Sequence, residues 1–145
     1  MLEITVDKFI FRIPEELLFS DAGIWVAPEG SCARLGLSDF VQQVNGDIAF
    51  ANVEPAGTEI KAGSEFGSIE TVKVNVGLPS PVKGRIVEVN PLLQDAPEAI
   101  NQDPYGKGWM VLMELLAWEK DKAGLLDASR YFVRVKEQAE AELKK

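Results

Sequence analysis

The chain has 145 residues and a formal net charge of −8, because 23 acidic side chains outnumber 15 basic ones. That charge argues against a nucleic-acid partner, and a hydrophobic fraction of 46% predicts one domain with a packed core instead of a disordered chain. The sequence contains no histidine, so it lacks both the usual general base near neutral pH and the commonest metal ligand.

The compartment is predicted from features that the sequence does not have. No apolar run approaches the roughly 20 residues needed to span a bilayer. Residues 1–7 carry acids where a signal or transit peptide would carry Arg and Lys. Cys32 is the only cysteine, which excludes an internal disulfide and a cysteine metal cluster. We therefore expect a cytosolic protein with no membrane segment and with Cys32 as a buried structural thiol.

Residues 1–22 are expected to form an N-terminal extension to which the sequence assigns no chemistry. Its first six residues alternate apolar and polar side chains as in a β-strand, and an apolar segment follows at residues 9–13. Pro14 is suited to the first turn of a helix, which predicts a short helix over residues 14–18.

The next predicted elements are two strands, a helix and a third strand. Residues 24–27 and 31–37 form the first two strands, with a Pro-Glu-Gly turn between them. Ser38 is suited to cap the start of a helix over residues 39–44, because its hydroxyl can accept from a free backbone N–H. The third strand is expected at residues 48–53.

Two β-prone runs, residues 66–71 and 74–78, flank one lysine, Lys73. Val, Ile and Thr favour an extended, half-buried backbone, so these runs predict a β-hairpin with Lys73 near its tip. Pro79 and Pro81 then end the second strand. On these grounds alone, Lys73 would be an ordinary solvated residue of a loop.

Beyond the hairpin the sequence continues with short elements. We expect a strand at residues 85–89, helical turns near 91–94 and 97–101, and a largely apolar strand at 109–116. Many short strands with Gly and Pro corners predict a mainly β fold, a flattened barrel or sandwich with short peripheral helices.

The C-terminal segment has a helical period instead. Its apolar residues step by four, three, four and four, which predicts an amphipathic helix over residues 128–143 that packs on the rest of the chain. Asp127 is suited to cap its start, and Lys144-Lys145 place cations where the helix dipole favours them. The predicted apolar stripe consists of Ala128, Phe132, Val135, Ala139 and Leu143.

The tip of the hairpin, Glu70-Thr71-Val72-Lys73-Val74, resembles the Glu-Ser-Val-Lys-Ala signature of glycine cleavage system H proteins. The resemblance runs in order from about Gly23 to about Leu116. It implies a lipoyl/biotinyl-type barrel-sandwich hybrid, with a carrier domain at residues 23–117 and a helical segment at 118–145 packed on the same domain. Other matching segments are Leu37-Ser38-Asp39-Phe40, Asn45-Gly46-Asp47-Ile48, Phe66-Gly67, Ser80-Pro81-Val82 and Asn101-Gln102-Asp103-Pro104-Tyr105-Gly106-Lys107-Gly108-Trp109.

The same resemblance implies that Lys73 carries lipoic acid through an amide bond, as the swinging arm of a carrier with no catalytic residue and no metal. Glu70, Thr71, Val72 and Val74 are then expected to be recognised by the modifying enzyme, a lipoate ligase or a lipoyl transferase. Lipoamide dehydrogenase is a further implied partner. Outside this family, the alternatives are an unmodified interaction module and an enzyme that relies on carboxylates or lysine.

Two positions depart from the family pattern. Gly23-Ile24-Trp25-Val26 stands where H proteins usually have His-Glu-Trp-Val, and Gly77 stands where they usually have an acid. The resemblance implies that Ile24, Trp25 and Gly77 belong to the cleft of the arm, where the usual two carboxylates hold the amine of an aminomethyl cargo. Without such a pair, a partly buried cation is costly.

The missing acids decide between two cargoes. By a narrow margin we expect a sulfur species, as in H-protein-like lipoate-binding proteins that serve a heterodisulfide-reductase-like complex in sulfur oxidation. The alternative is glycine cleavage itself, in which Lys73 carries the aminomethyl group from glycine decarboxylase to the aminomethyltransferase.

Overall fold

The computed structural model describes residues 1–143, and short antiparallel strands dominate its architecture. The strands are β1 (Leu2–Val6), β2 (Phe9–Ile13), β3 (Leu18–Phe19), β4 (Ile24–Glu29), β5 (Cys32–Leu37), β6 (Ile48–Val53), β7 (Glu59–Ile60), β8 (Glu65–Thr71), β9 (Asn75–Pro79), β10 (Gly84–Val89) and β11 (Val111–Leu115). The helices are α1 (Asp39–Asn45), α2 (Leu92–Asp95), α3 (Ala99–Gln102), α4 (Trp118–Asp121) and α5 (Ala128–Leu143), with a 3₁₀ turn at Lys122–Gly124. The predicted mainly β fold with short helices and a C-terminal helix is confirmed.

Two of the three sheets enclose the main core. The larger sheet has the order β3-β4-β5-β11-β10-β7, and the smaller has the order β6-β8-β9. Alternation along each strand sends one set of side chains inward, and Leu35, Ile69 and Ile86 from the two sheets meet in one buried cluster. The hairpin β8–β9 therefore rests on a packed base while its tip extends beyond it.

The strands β1 and β2 form a separate two-stranded sheet, the N-terminal hairpin, with Leu2 opposite Ile13 and Val6 opposite Phe9. Its inward side chains belong to a second buried cluster, which they share with Phe40 of α1 and with α5. The extension is thus an ordered part of the structure. The division of the chain at residues 22 and 117 stays a prediction.

The short helix predicted at residues 14–18 is wrong. Leu18 and Phe19 instead form β3, where they pair with Val26 and Trp25 of β4. Phe19 also exchanges two backbone hydrogen bonds of 2.8 Å with Leu126. These pairings satisfy the backbone polar groups outside a helix and leave Phe19 buried, so tertiary contacts override the local preference that follows Pro14.

The helix α1 starts as the sequence predicts. Ser38 has an extended backbone, and its Oγ accepts a hydrogen bond of 3.3 Å from the Val41 N–H. The same Oγ lies 2.7 Å from the Tyr131 hydroxyl of α5, which joins the two helices. Gly46 ends the helix at φ 86°, a backbone angle that favours glycine.

The helix α5 is confirmed, but its predicted apolar stripe needs one correction. Tyr131, which the pattern omits, is 0% exposed and stacks on Phe19 at 4.4 Å between ring centroids, whereas Phe132 is only partly buried. Burial raises the pKa of the Tyr131 phenol above its usual value, so the hydroxyl stays neutral. Asp127 caps the helix by accepting from the Arg130 N–H at 2.9 Å. The cations predicted at Lys144-Lys145 lie outside the described residues.

Within residues 1–143, none of the helices is both long and apolar enough to cross a membrane.

Tyr131 should contribute far more to stability than the neighbouring exposed residues of α5. We expect Tyr131→Ala to lower the free energy of unfolding by roughly 3–5 kcal/mol, because it empties a fully buried aromatic position. Val133, which is 54% exposed on the same helix, is the matched control, and Val133→Ala should change that free energy by less than about 0.5 kcal/mol. Urea unfolding monitors both variants, and equal effects would contradict the assigned packing of α5.

Candidate functional site

The hairpin β8–β9 carries Lys73 at its tip, as predicted. Ile69 pairs with Val76 and Glu70 with Asn75, and Val72-Lys73-Val74 makes the connection between the strands. The sheet fixes both legs of the hairpin, so the tip can reach solvent without loss of its position.

Thr71 holds the connection in shape. Its Oγ1 accepts hydrogen bonds from the Lys73 N–H at 3.2 Å and from the Val74 N–H at 3.1 Å. The Thr71 backbone N–H also donates to the Val74 carbonyl oxygen at 2.9 Å, which closes the turn. The Thr71 hydroxyl therefore orders this turn, which contains no Asn-Gly pair and no residue at positive φ.

The residues on either side of Lys73 are apolar and open to solvent. Val72 is 95% exposed, and Val74 is exposed as well. Phe50 of β6, another exposed apolar residue, pairs with Glu70 beside the tip. Because none of these three side chains is buried in a core, together they form an accessible apolar surface around the lysine.

The side chain of Lys73 extends from the tip towards α1. Its Nζ donates a long hydrogen bond of 3.4 Å to the carbonyl oxygen of Val44, in the last turn of that helix. Carbonyl oxygens there lack an intrahelical partner and attract cations. Among the ion pairs of the described residues, none involves Lys73. An exposed primary amine with one weak contact fits an attachment point for an amide-linked acyl group.

A polar network fixes the end of α1 beneath Lys73. The Asn101 amide nitrogen donates to Gln42 Oε1 and to the Gly46 carbonyl oxygen, each at 3.0 Å. Its Oδ1 accepts from the Ile48 N–H at 2.9 Å. One asparagine thus ties α3 to the end of α1 and to the start of β6.

A second polar contact holds the N-terminal hairpin on the start of α1. The Tyr105 hydroxyl donates to the Arg12 carbonyl oxygen at 2.6 Å and accepts from the Asp39 N–H at 2.9 Å. Burial raises the pKa of the Tyr105 phenol well above its usual value, so the hydroxyl keeps the proton that it donates.

Lys73 borders a small cleft of about 150 Å³, which we call the Lys73 cleft. The N-terminal hairpin, α1 and the end of α5 supply its other walls, through Phe9, Phe11, Gln43, Val44 and Leu143. The sequence placed none of these five residues in a functional site, and Leu143 was predicted only as part of the apolar stripe of α5. The only feature of the sequence that bears on this cleft is the alternation of Phe9 and Phe11, which is typical of a strand. Alternation does not indicate which residues the two rings contact.

The three residues predicted for the arm cleft lie elsewhere, and none of them is among the described residues that line the Lys73 cleft. Ile24 is 0% exposed in the main core. Trp25 is buried in the second cluster, where its Nε1 donates to the Pro104 carbonyl oxygen at 2.9 Å. Gly77 is exposed on β9. Their assignment to an arm cleft stays a prediction.

The structure also explains why acids at these two positions would be unfavourable. A carboxylate at position 24 would replace an apolar side chain in the main core, where an unpaired charge is costly. At Gly77, a Cβ would overlap the carboxylate of Glu65, so an acid there would meet a like charge. A carboxylate therefore already lies over Gly77, although it comes from β8.

Among residues 1–143, no three acidic or cysteine side chains lie close enough together to hold a metal ion.

Comparisons with known proteins agree on one family. The family model described as Glycine cleavage H-protein matches residues 17–138. A glycine cleavage system H protein of Anaeromyxobacter sp. (strain K) is 40% identical over 127 residues, covering 88% of this chain and 98% of the relative. Its counterpart in Bacillus licheniformis is 46% identical over 101 residues, covering 70% and 80%.

The fold agrees as well. A crystal structure of a glycine cleavage system H protein from Mycobacterium marinum superposes with a TM-score of 0.74 at 29% identity, and the match covers 84% of this chain and 98% of that one. The predicted barrel-sandwich fold is thereby confirmed. Because both the sequence and the fold match over most of its length, the chain belongs to the glycine cleavage H-protein family.

Proposed function

We propose that this chain is a lipoyl carrier and that Lys73 is its attachment site. The observation that carries the proposal is the exposed amine of Lys73 at a hairpin tip whose turn is fixed by Thr71. Bound in amide linkage, lipoate would supply a cyclic disulfide, which is reduced as it takes up the cargo and is left as a dithiol when the cargo is released. The protein contributes position, since the amine starts from a rigid tip and not from a mobile loop.

The modifying enzyme, a lipoate ligase or a lipoyl transferase, is proposed to bind the tip itself. Val72 and Val74 offer it exposed apolar surface, and Glu70 offers a charge at the end of β8. Thr71 acts through the backbone, because its hydroxyl orders the two N–H groups that follow it. The four residues form one continuous segment around the lysine.

The cargo proposed here is the aminomethyl group of glycine cleavage. The named relatives are glycine cleavage system H proteins, and no finding supports the sulfur cargo that the sequence favoured by a narrow margin. That preference depended on the missing acids at positions 24 and 77. The Glu65 carboxylate weakens the preference for a sulfur cargo, because it places a negative charge next to Gly77 although position 77 itself has no acid. Glycine decarboxylase, the aminomethyltransferase and lipoamide dehydrogenase are the corresponding partners.

Lys73→Arg should abolish lipoylation and leave the fold unchanged. Arginine keeps the positive charge at an exposed position but offers no amine that a ligase can acylate. The matched control is Lys61→Arg, at another exposed position in a turn, which should be modified as fully as the wild type. Intact mass after incubation with a lipoate ligase is the measurement. A lipoyl adduct on the Lys73→Arg protein would place the attachment site elsewhere.

Glu65→Gln tests the cargo. If the Glu65 carboxylate pairs with the amine of the aminomethyl group, the lipoylated variant should lose activity in glycine–bicarbonate exchange with glycine decarboxylase. A loss of about tenfold or more is expected, from the usual strength of a hydrogen bond to a charged group. The control is Glu59→Gln, an exposed glutamate on β7, which should keep full activity. A lipoylated wild-type protein that is inert in this exchange would exclude glycine cleavage as the function.

A further inference from the structure

The strand β2 of the N-terminal hairpin uses its outer backbone groups within the chain. The Arg12 N–H donates to Asp39 Oδ2 at 2.9 Å, and the Arg12 carbonyl oxygen accepts from the Tyr105 hydroxyl at 2.6 Å. The Ile10 carbonyl oxygen accepts from Gln43 Nε2 at 2.9 Å. The outer edge of β2 is therefore covered by side chains of α1 and of the segment after α3.

The outer edge of β1 is open in the described part of the chain. Glu3 lies opposite Arg12 in the register of the hairpin. Thr5 lies opposite Ile10. Opposite residues of an antiparallel pair turn their backbone groups either towards each other or both outward. Since the groups of Arg12 and Ile10 face outward, those of Glu3 and Thr5 also point away from the hairpin. No group of residues 1–143 donates to these backbone groups or accepts from them. We call the N–H and carbonyl groups of Glu3 and Thr5 the β1 edge.

The other sheet edges of the described residues have features that oppose pairing with a further strand. The strands β3 and β7 have two residues each, and β3 is also bonded to Leu126. The register of β6 on β8 shifts between Ile48 and Phe50, and β9 includes Pro79, which has no N–H. Short length, irregular register and proline are means by which natural sheets avoid pairing with another chain. The strand β1 has five residues in regular register, without proline or lysine, so its edge is unprotected.

The charges along β1 favour a second copy of the same strand as its partner. When two copies pair antiparallel about a two-fold axis, Glu3 of one copy lies opposite Glu3, Thr5 or Asp7 of the other. The registers with Glu3 opposite Glu3 or Asp7 place like charges against each other, which is destabilising. The remaining register places Glu3 opposite Thr5 on both sides of a central pair of Ile4 residues, and it opposes no like charges.

We propose that β1 is a dimer interface, at which it pairs antiparallel with β1 of a second copy of this chain. In the register centred on Ile4, Glu3 of each copy exchanges both backbone hydrogen bonds with Thr5 of the other. The two hairpins then form one continuous sheet, whose inner face extends the buried row of Ile4 and Val6 in the second cluster. A pair of short strands buries less surface than a permanent dimer does, so the association is reversible and depends on concentration.

This interface is independent of the carrier function. The hairpin lies outside residues 17–138, which match the family model, so the family match does not imply a dimer of this kind. Residues 72–74 at the tip of hairpin β8–β9 are not part of the β1 edge, and the dimer does not require a lipoyl group on Lys73.

Sedimentation equilibrium of the full chain, from micromolar to millimolar concentration, tests the dimer. The mean mass should rise towards twice that of the chain, and a mass that stays at one chain throughout would overturn the proposal. Thr5→Pro removes the outward N–H at position 5 and none of the bonds between β1 and β2, so it should weaken self-association about tenfold or more. The matched control is Thr5→Ala, which keeps the N–H and should associate as the wild type does. Equal association of Thr5→Pro and wild type would contradict a dimer through β1.

The register is tested on the wild-type protein by nuclear Overhauser effects between copies. Isotope-labelled and unlabelled chains are mixed at a concentration where the dimer is populated, and only contacts between the two kinds of chain are recorded. The proposal expects a contact between the Ile4 Hα atoms of the two copies, because these atoms approach closely in the central pair of the sheet. Contacts between copies that exclude Ile4 would place the dimer on another surface and overturn the proposal. Should Thr5→Pro not fold, this measurement decides.

Discussion

The hydrogen bond from the Lys73 ammonium to the Val44 carbonyl oxygen joins the hairpin β8–β9 to the end of α1, and the geometry of the site depends on where that helix ends. Ser38 sets its start and links it to Tyr131 of α5, while Asn101 fixes its last turn. The helix is only seven residues long, so an error at either end would move the carbonyl oxygens that face the lysine. Val41 packs against both buried clusters, and Phe40 and Val44 pack in the second, which opposes such a shift.

Many of these structural features could be predicted from interactions between residues that are close in sequence. Ser38 caps α1, Asp127 caps α5, and the strand at Ile48–Val53 has the bounds that the pattern gives. In each case the decisive interaction lies within a few residues of the chain, where composition and period are informative. The position of Lys73 at a tip followed from the same kind of pattern, whereas the lipoylation proposed for it came from the resemblance of its neighbours to a known signature.

Contacts between distant segments were not predictable. Phe19 pairs with Leu126, a residue far away in sequence, in the region where a helix was expected after Pro14. The Lys73 cleft forms where the N-terminal hairpin, α1 and the end of α5 contact one another. The periodicity of the sequence does not indicate a contact between segments so far apart. The same limit applies to Glu65, whose carboxylate covers Gly77 only because β8 and β9 pair in one register. The expectation of a sulfur cargo, which was drawn from the missing acids at positions 24 and 77, therefore did not take the Glu65 carboxylate into account.

The most direct test of the central claim is to find the modification on the native protein. Peptide mapping by mass spectrometry of the chain purified from its own cells should show lipoate in amide linkage on Lys73. The other lysines of that preparation should be unmodified, because they lack the Glu70-Thr71-Val72 context before them. Unmodified Lys73 in cells that lipoylate other proteins would contradict the account.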